Sequence, residues 1–204
     1  MKESLNQEKD RFLRYYYQVD AVSKLDDINS IVEVGNRFDM FSVFVKRMGY
    51  QVTTVDIDPK WKPDIIADVR HLPDIMADVV CCFETLEHIP YDDFTLSLSN
   101  LKRVASKYVI ISMPDTTPSF AIMLDIPMVT AFLKYHFGID TAILGELPSP
   151  GRKFSYDGSH YWEIGKRGYP QSRIKKDIQS TGMNIINDYR SILFPYHHYY
   201  VCEV

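Results

Sequence analysis

Between residues 31 and 114 the chain alternates short, almost continuously apolar runs with stretches of helical period. Ile31, Val32 and Val34 surround a single acid, Glu33, and Gly35 follows. QVTTVDID closes on Asp56, DIIADV ends near Asp68, ADVVCCFE ends in Glu84, and KYVIISMP is closed by Pro114. A strand that is apolar on both faces must be covered on both faces, which is the condition of a parallel sheet between two layers of helices. The helices come from the intervening segments. Residues 40–48 place Phe41, Phe44, Val45 and Met48 on one face and stop at Gly49; residues 92–105 and 170–181 form two more, the last ended by Gly182. The closing runs MNIINDYR and HHYYVCEV have no helix between them and are read as an antiparallel hairpin at one sheet edge. The expected architecture is α/β, doubly wound, with a mostly parallel seven-stranded sheet and an antiparallel C-terminal hairpin.

A chain of 204 residues with 46% hydrophobic content suits one domain over 1–204. Residues 1–28 read as an N-terminal helical extension, its stripe of Phe12, Tyr15 and Tyr16 assigned to packing. Residues 115–160 lose the strand–helix rhythm to prolines and glycines and read as an inserted lid and substrate segment, with helical fragments near 119–124 and 127–137. The net charge of -4 offers no basic field for a polyanion, so nucleic acid is disfavoured as a partner. Lys166, Arg167, Arg173, Lys175 and Lys176 are read as a solvated helix face. Three cysteines in no metal or disulfide spacing, a charged N-terminus and no run of about 18 apolar residues point to a cytoplasmic protein without a membrane span.

In open sheets of this kind ligands bind at the carboxyl ends of the strands, where the sequence sets Asp56, Asp68 and Glu84 and follows another strand with Gly35. The series VEVGNRFD, VDID, ADVRHLP, CFETLEHIP and YVIISMP resembles, in order and interval, the class I S-adenosylmethionine-dependent methyltransferases, which have a Rossmann-like fold. The likeness is good over roughly residues 29–114. One departure is plain: the family pattern places glycine two and four residues beyond Gly35, where this chain has Arg37 and Asp39.

The resemblance implies S-adenosylmethionine as cofactor and a small-molecule acceptor, with oxygen as the atom methylated. It implies that Glu33 and Gly35 shape the turn against the methionine part; Arg37, at the departure, is suited by its guanidinium to pair with the cofactor carboxylate. Asp56 would accept from both ribose hydroxyls, as an acceptor-only carboxylate suits a diol. Ile57 would pack on adenine, Asp68 accept from its amino group, the Val69 backbone read its ring edge, and Phe83 and Glu84 line the methionine end. The alternatives are a non-catalytic methyltransferase-like binding protein and an RNA methyltransferase.

Two constellations carry candidate chemistry. In ETLEH, a helical turn would set Glu84, Glu87 and His88 on one face. Completed by His160, that set resembles the divalent-metal site of certain O-methyltransferases; the competing reading makes Glu87 and His88 structural. In SHYWEIG, His160 is read as base or ligand in a substrate wall, or else the segment is an aromatic plug. The candidate catalytic residues are therefore His160, Glu84 and His88. His197 and His198 alternate on the last strand, which is read as core or a homodimer edge and given no chemistry.

Overall fold

The computed structural model describes residues 5–37, 39–123, 128–137, 142–147, 151, 153, 156 and 158–204. Helix α1 (Leu5–Ser23) precedes strand β1 (Ser30–Val34), helix α2 (Met40–Arg47), β2 (Gln51–Asp56), the two-residue β3 (Ile65–Ile66) and β4 (Ala77–Phe83). Helix α3 (Phe94–Val104) leads directly into β5 (Ala105–Pro114). After the excursion come α5 (Gln171–Ser180), β8 (Asn184–Arg190) and β9 (His197–Glu203). The sheet has seven strands in the order β3-β2-β1-β4-β5-β9-β8. The first five are parallel, and β9 and β8 run antiparallel. This is the architecture expected from the sequence.

Strand alternation sorts the core into two layers. Val32, Val34, Val80, Cys82, Val109 and Ile111 pack with Leu98, Leu101, Ile174 and Ile178 of α3 and α5. Ile31, Val79, Cys81 and Ile110 pack with Ala21, Val22, Phe41 and Val45 of α1 and α2. Adjacent Cys81 and Cys82 thus serve opposite layers, and both are buried free thiols. No described helix is long and apolar enough to cross a membrane.

Three expectations change. Residues 119–123 are a strand, β6 (Ser119–Met123), paired antiparallel with β7 (Ala142–Glu146), not a helical fragment. The partner strand from beyond α4 (Val129–Phe137) decides this, and a short local pattern cannot reveal such a partner. Leu124 and Pro127, the remaining ends of the two expected fragments, lie outside the described residues. Only Phe41 and Val45 of the expected α2 face are buried; Phe44 and Met48 are exposed, because α2 meets the sheet along a narrower stripe. Phe12 and Tyr16 of α1 are also exposed rather than packed.

Leu98 is fully buried in the α3 layer, so Leu98→Ala is expected to lower unfolding free energy by about 2–5 kcal/mol. Phe44→Ala, at an exposed position, is expected to change it by about 0.5 kcal/mol or less. Urea denaturation of both variants measures the difference.

Candidate active site

The chain runs from β1 outward to β2 and β3, then returns across β1 to β4 and continues the other way. Loops after β1 and β4 therefore diverge and leave a crevice at the carboxyl edge. A cavity of about 740 Å³ lies there, within the usual size of small-molecule sites.

Gly35 sets its floor. Its φ of +87° is in the left-handed region, and a Cβ there would lie 2.0 Å from Thr85 Oγ1. Thr85 in turn donates to the Phe83 carbonyl at 3.0 Å. Of the two positions where the family has further glycines, Asp39 also takes a left-handed backbone, at φ 42°. Aspartate tolerates that conformation better than most residues, so the chain keeps the glycine-like turn at that position without the glycine. Arg37 lines the cavity and lies over the Trp61 ring, 5.7 Å from its centroid.

On the β1–β2–β3 side the cavity is lined by Glu33, Asp56, Ile57, Asp68 and Val69, all expected there. Glu33 is buried and its Oε2 has no hydrogen-bond partner; burial pushes its carboxyl up to about 8. Asp56 Oδ1 accepts from the Asp58 amide at 2.8 Å, which fixes the carboxylate, while burial raises its carboxyl above the usual range. Strand β3 stops at Ile66, so Asp68 does not end a strand; it caps a short 3₁₀ turn (Val69–His71) through the Arg70 amide. The Arg70 side chain bonds Asp68 at 2.6 Å and Asp93 at 3.0 Å, and its bonds hold Asp68 below the usual carboxylate range.

On the other side lie Phe83, Glu84, Glu87, His88 and His160. The 3₁₀ turn begins only at Leu86, and Glu84, at φ 49°, stands outside it. Glu84 therefore does not share a face with Glu87 and His88. It bonds Arg14 of α1 at 2.8 Å and faces His197 Nδ1 at 3.0 Å. Glu87 is buried, with one oxygen lacking a hydrogen-bond partner, and burial together with nearby Glu84 pushes its carboxyl well above the usual range. Burial lowers the His88 ring, which stays neutral near pH 7.

The segment 158–165 divides the two readings of SHYWEIG by residue. Trp162 is fully buried against Tyr91 and Phe94 and donates to the Ile89 carbonyl at 3.2 Å: it is the plug. The Tyr161 amide donates to the Glu87 carbonyl at 2.8 Å, and Ile164 bonds the end of β5. These anchors bring His160 to His88, ring centroids 4.9 Å apart. His160 Nδ1 lies 2.8 Å from Glu163 Oε1, which also accepts from Tyr196 Oη at 3.0 Å. Burial opposes charge on Glu163, but these bonds and Lys166 outweigh it and hold its carboxyl below the usual range.

Arg14, Trp61 and His197 are among the lining residues that escaped the sequence reading. Arg14 sat in a helix assigned to packing, and Trp61 in a loop. His197 was given no chemistry, yet it lines the cavity beside Glu84, and burial pushes its imidazole down to about 4. Its signal was the expected hairpin: a strand antiparallel to β5 brings its first residue to the carboxyl edge, and His197 pairs with Pro114. His198, on the opposite face, bonds buried Asp115 at 3.0 Å instead. None of Lys166, Arg167, Arg173, Lys175 or Lys176 lines the cavity; Lys175, for example, pairs with Asp188.

No family model and no curated protein sequence matches the chain. Solved structures do. Magnesium protoporphyrin IX methyltransferase from Synechocystis, with bound S-adenosylhomocysteine, superposes with a TM-score of 0.64 at 17% identity, over 100% of this chain and 89% of that one. A SAM-dependent methyltransferase from Archaeoglobus fulgidus gives 0.60 at 15% identity, over 98% of each chain. The 1,6-didemethyltoxoflavin N1-methyltransferase of Burkholderia thailandensis gives 0.61 at 10% identity, over 97% of this chain and 82% of that one. The chain has the class I S-adenosylmethionine-dependent methyltransferase fold.

Gly35→Ala is expected to cost about 2–5 kcal/mol, from positive φ plus the Thr85 clash. Gly49→Ala, with positive φ and open space, should cost only about 1–2 kcal/mol by the same denaturation measurement. Glu33 titrates near 8 when folded and near 4.5 when unfolded, so the folded state holds the extra proton between those values. Its contribution is therefore lost as pH rises towards 8, with Glu87 acting in the same sense. His197 gives the opposite slope, but only below about 6.5. Between pH 6.5 and 8, stability is expected to fall with pH, and less steeply in Glu33→Gln.

Proposed function

We propose that this protein is an S-adenosylmethionine-dependent methyltransferase that methylates oxygen on a small-molecule acceptor. The observation that carries the reading is the crevice between β1 and β4, with a buried acid, Glu33, whose Oε2 has no hydrogen-bond partner, and a pre-set carboxylate, Asp56, on its cofactor side. The group fits the residues: the sulfonium and amino groups are cationic and the ribose offers two donors, while Glu33 and Glu87, which line the cavity, each carry a buried acceptor oxygen without a hydrogen-bond partner. Gly35 lets the backbone approach closely. Asp56 would hold the ribose, Ile57 and Val69 would flank adenine with Asp68 at its edge, and Glu33, Arg37 and Phe83 would border the methionine end. When bound, S-adenosylmethionine supplies an already activated methyl group. The chain then has to hold the acceptor in line and keep water out.

Oxygen is favoured by what stands at the far end of the cavity. A hydroxyl must lose its proton as the methyl is transferred. His160, oriented through Nδ1 by Glu163, is placed to accept that proton at Nε2. His88 lines the same end as a neutral imidazole, and Glu84, pinned by Arg14, borders it. A small acceptor accords with the acidic net charge and with the absence of Lys166, Arg167, Arg173, Lys175 and Lys176 from the cavity lining.

Calorimetry with S-adenosylhomocysteine tests the core of the reading. Asp56→Ala is expected to weaken binding about 10- to 100-fold through loss of charge-assisted bonds to the ribose. No binding by the native chain would overturn the proposal.

A further inference from the structure

We propose that Trp61 is the outer wall of the nucleoside pocket and that Arg37 is the residue that positions its ring, the two acting as a clasp on the cofactor. The inference rests on the proposed S-adenosylmethionine site and gives its nucleoside side a cover. Arg37 stands where the family pattern has glycine, so what its side chain does is particular to this chain. Its guanidinium carbon lies 5.7 Å from the centroid of the Trp61 ring, within the range of a cation–π contact. Arg37 belongs to the loop after β1 and Trp61 to the loop after β2, and both line the cavity. Those loops leave the two strand ends proposed to hold the cofactor, at Gly35 and at Asp56. The contact therefore joins the two loops across the cofactor side of the crevice.

The loop after β2 fixes where the ring sits. Asp58 caps the 3₁₀ turn Pro59–Trp61 by accepting from the Lys60 amide at 3.0 Å, and the Trp61 amide donates to the Asp58 carbonyl at 3.2 Å. Lys60 Nζ pairs with the Asp58 carboxylate at 2.6 Å and lies 4.8 Å from the centroid of the Trp61 ring. The Asp58 amide in turn donates to Asp56 Oδ1 at 2.8 Å. One short run of turns thus sets both the carboxylate proposed for the ribose and the ring beyond it.

A nucleoside here needs such a wall. Ile57, proposed for one side of adenine, is 63% exposed and offers a single apolar side. An indole has the flat apolar area to close another, and a guanidinium against the ring limits its swing into solvent. A contact of this kind is worth about 2- to 30-fold in an equilibrium constant. That is enough to slow loss of the cofactor and weak enough to open for exchange of cofactor and product. Glycine at position 37 has no side chain with which to make it.

The test is calorimetry of the full chain with S-adenosylhomocysteine and with 5′-methylthioadenosine, which lacks the amino-acid tail. Arg37→Ala and Trp61→Ala are each expected to weaken both ligands about 2- to 30-fold. The double variant should lose no more than the larger single loss, because both changes break one contact. Arg37→Ala that weakens S-adenosylhomocysteine and leaves 5′-methylthioadenosine unchanged overturns the clasp, since the arginine would then serve the cofactor carboxylate. Additive losses in the double variant overturn it as well. The chain has two tryptophans, Trp61 and the fully buried Trp162, so fluorescence supplies a second readout. The ligand-induced change in emission is expected to be larger in the native chain than in Trp61→Phe, and equal changes overturn the wall. Circular dichroism checks the folding of each variant. Native binding insensitive to both alanine variants overturns the clasp alone, whereas no binding of S-adenosylhomocysteine by the native chain overturns the methyltransferase reading with it.

Discussion

Gly35 and Thr85 meet where β1 and β4 begin to part, and the whole carboxyl edge is arranged around that contact. No Cβ fits at Gly35, because Thr85 Oγ1 occupies its place. The two loops can then leave side by side before diverging, with Glu33 on one strand and Glu84 just past the other. The crowding is accompanied by left-handed backbone at two non-glycine residues, Asp39 and Glu84. Each such residue costs about 1–2 kcal/mol, which the packed sheet below supports. Both layers of that sheet are continuous apolar clusters that brace its upper rim.

The electrostatics of the rim follow from burial. Glu33 and Glu87 are carboxylates held where charge is disfavoured, and each has an oxygen without a hydrogen-bond partner. The nearby imidazoles of His88 and His197 are kept neutral by the same burial. Two arginines at the rim are already engaged, Arg14 with Glu84 and Arg70 with Asp68 and Asp93. The cavity is thus rich in acceptors and in carboxylates that lack a counter-charge. The proposed function draws on that imbalance, which a sulfonium nucleoside answers.

Much of this was legible in the chain. Continuous apolar runs demanded a sheet covered on both faces, and the acids after those runs marked the carboxyl edge. Asp56, Glu33 and Glu84 are where that logic put them. The missing glycine at position 39 was legible as a departure, but its left-handed backbone was not, because aspartate does not announce φ. The α2 face was read too widely, since periodicity tells which residues share a side and not how closely the neighbour approaches. The hairpin β6–β7 was missed because its pairing joins segments separated by a helix.

The sequence by itself determined the strand–helix alternation, the layer each strand residue serves, and the acids at the strand ends. These depend on local period and on the handedness of the chain, which are written into neighbouring residues. Only the tertiary structure decided which residues from distant segments share the cavity. Arg14 reaches Glu84 because α1 packs beneath that end of the sheet, and His197 arrives because β9 runs antiparallel to β5. His160 meets His88 because Trp162 is buried between them and the core. Such meetings are set by packing between elements, which carries no signature in the order of residues along any one of them.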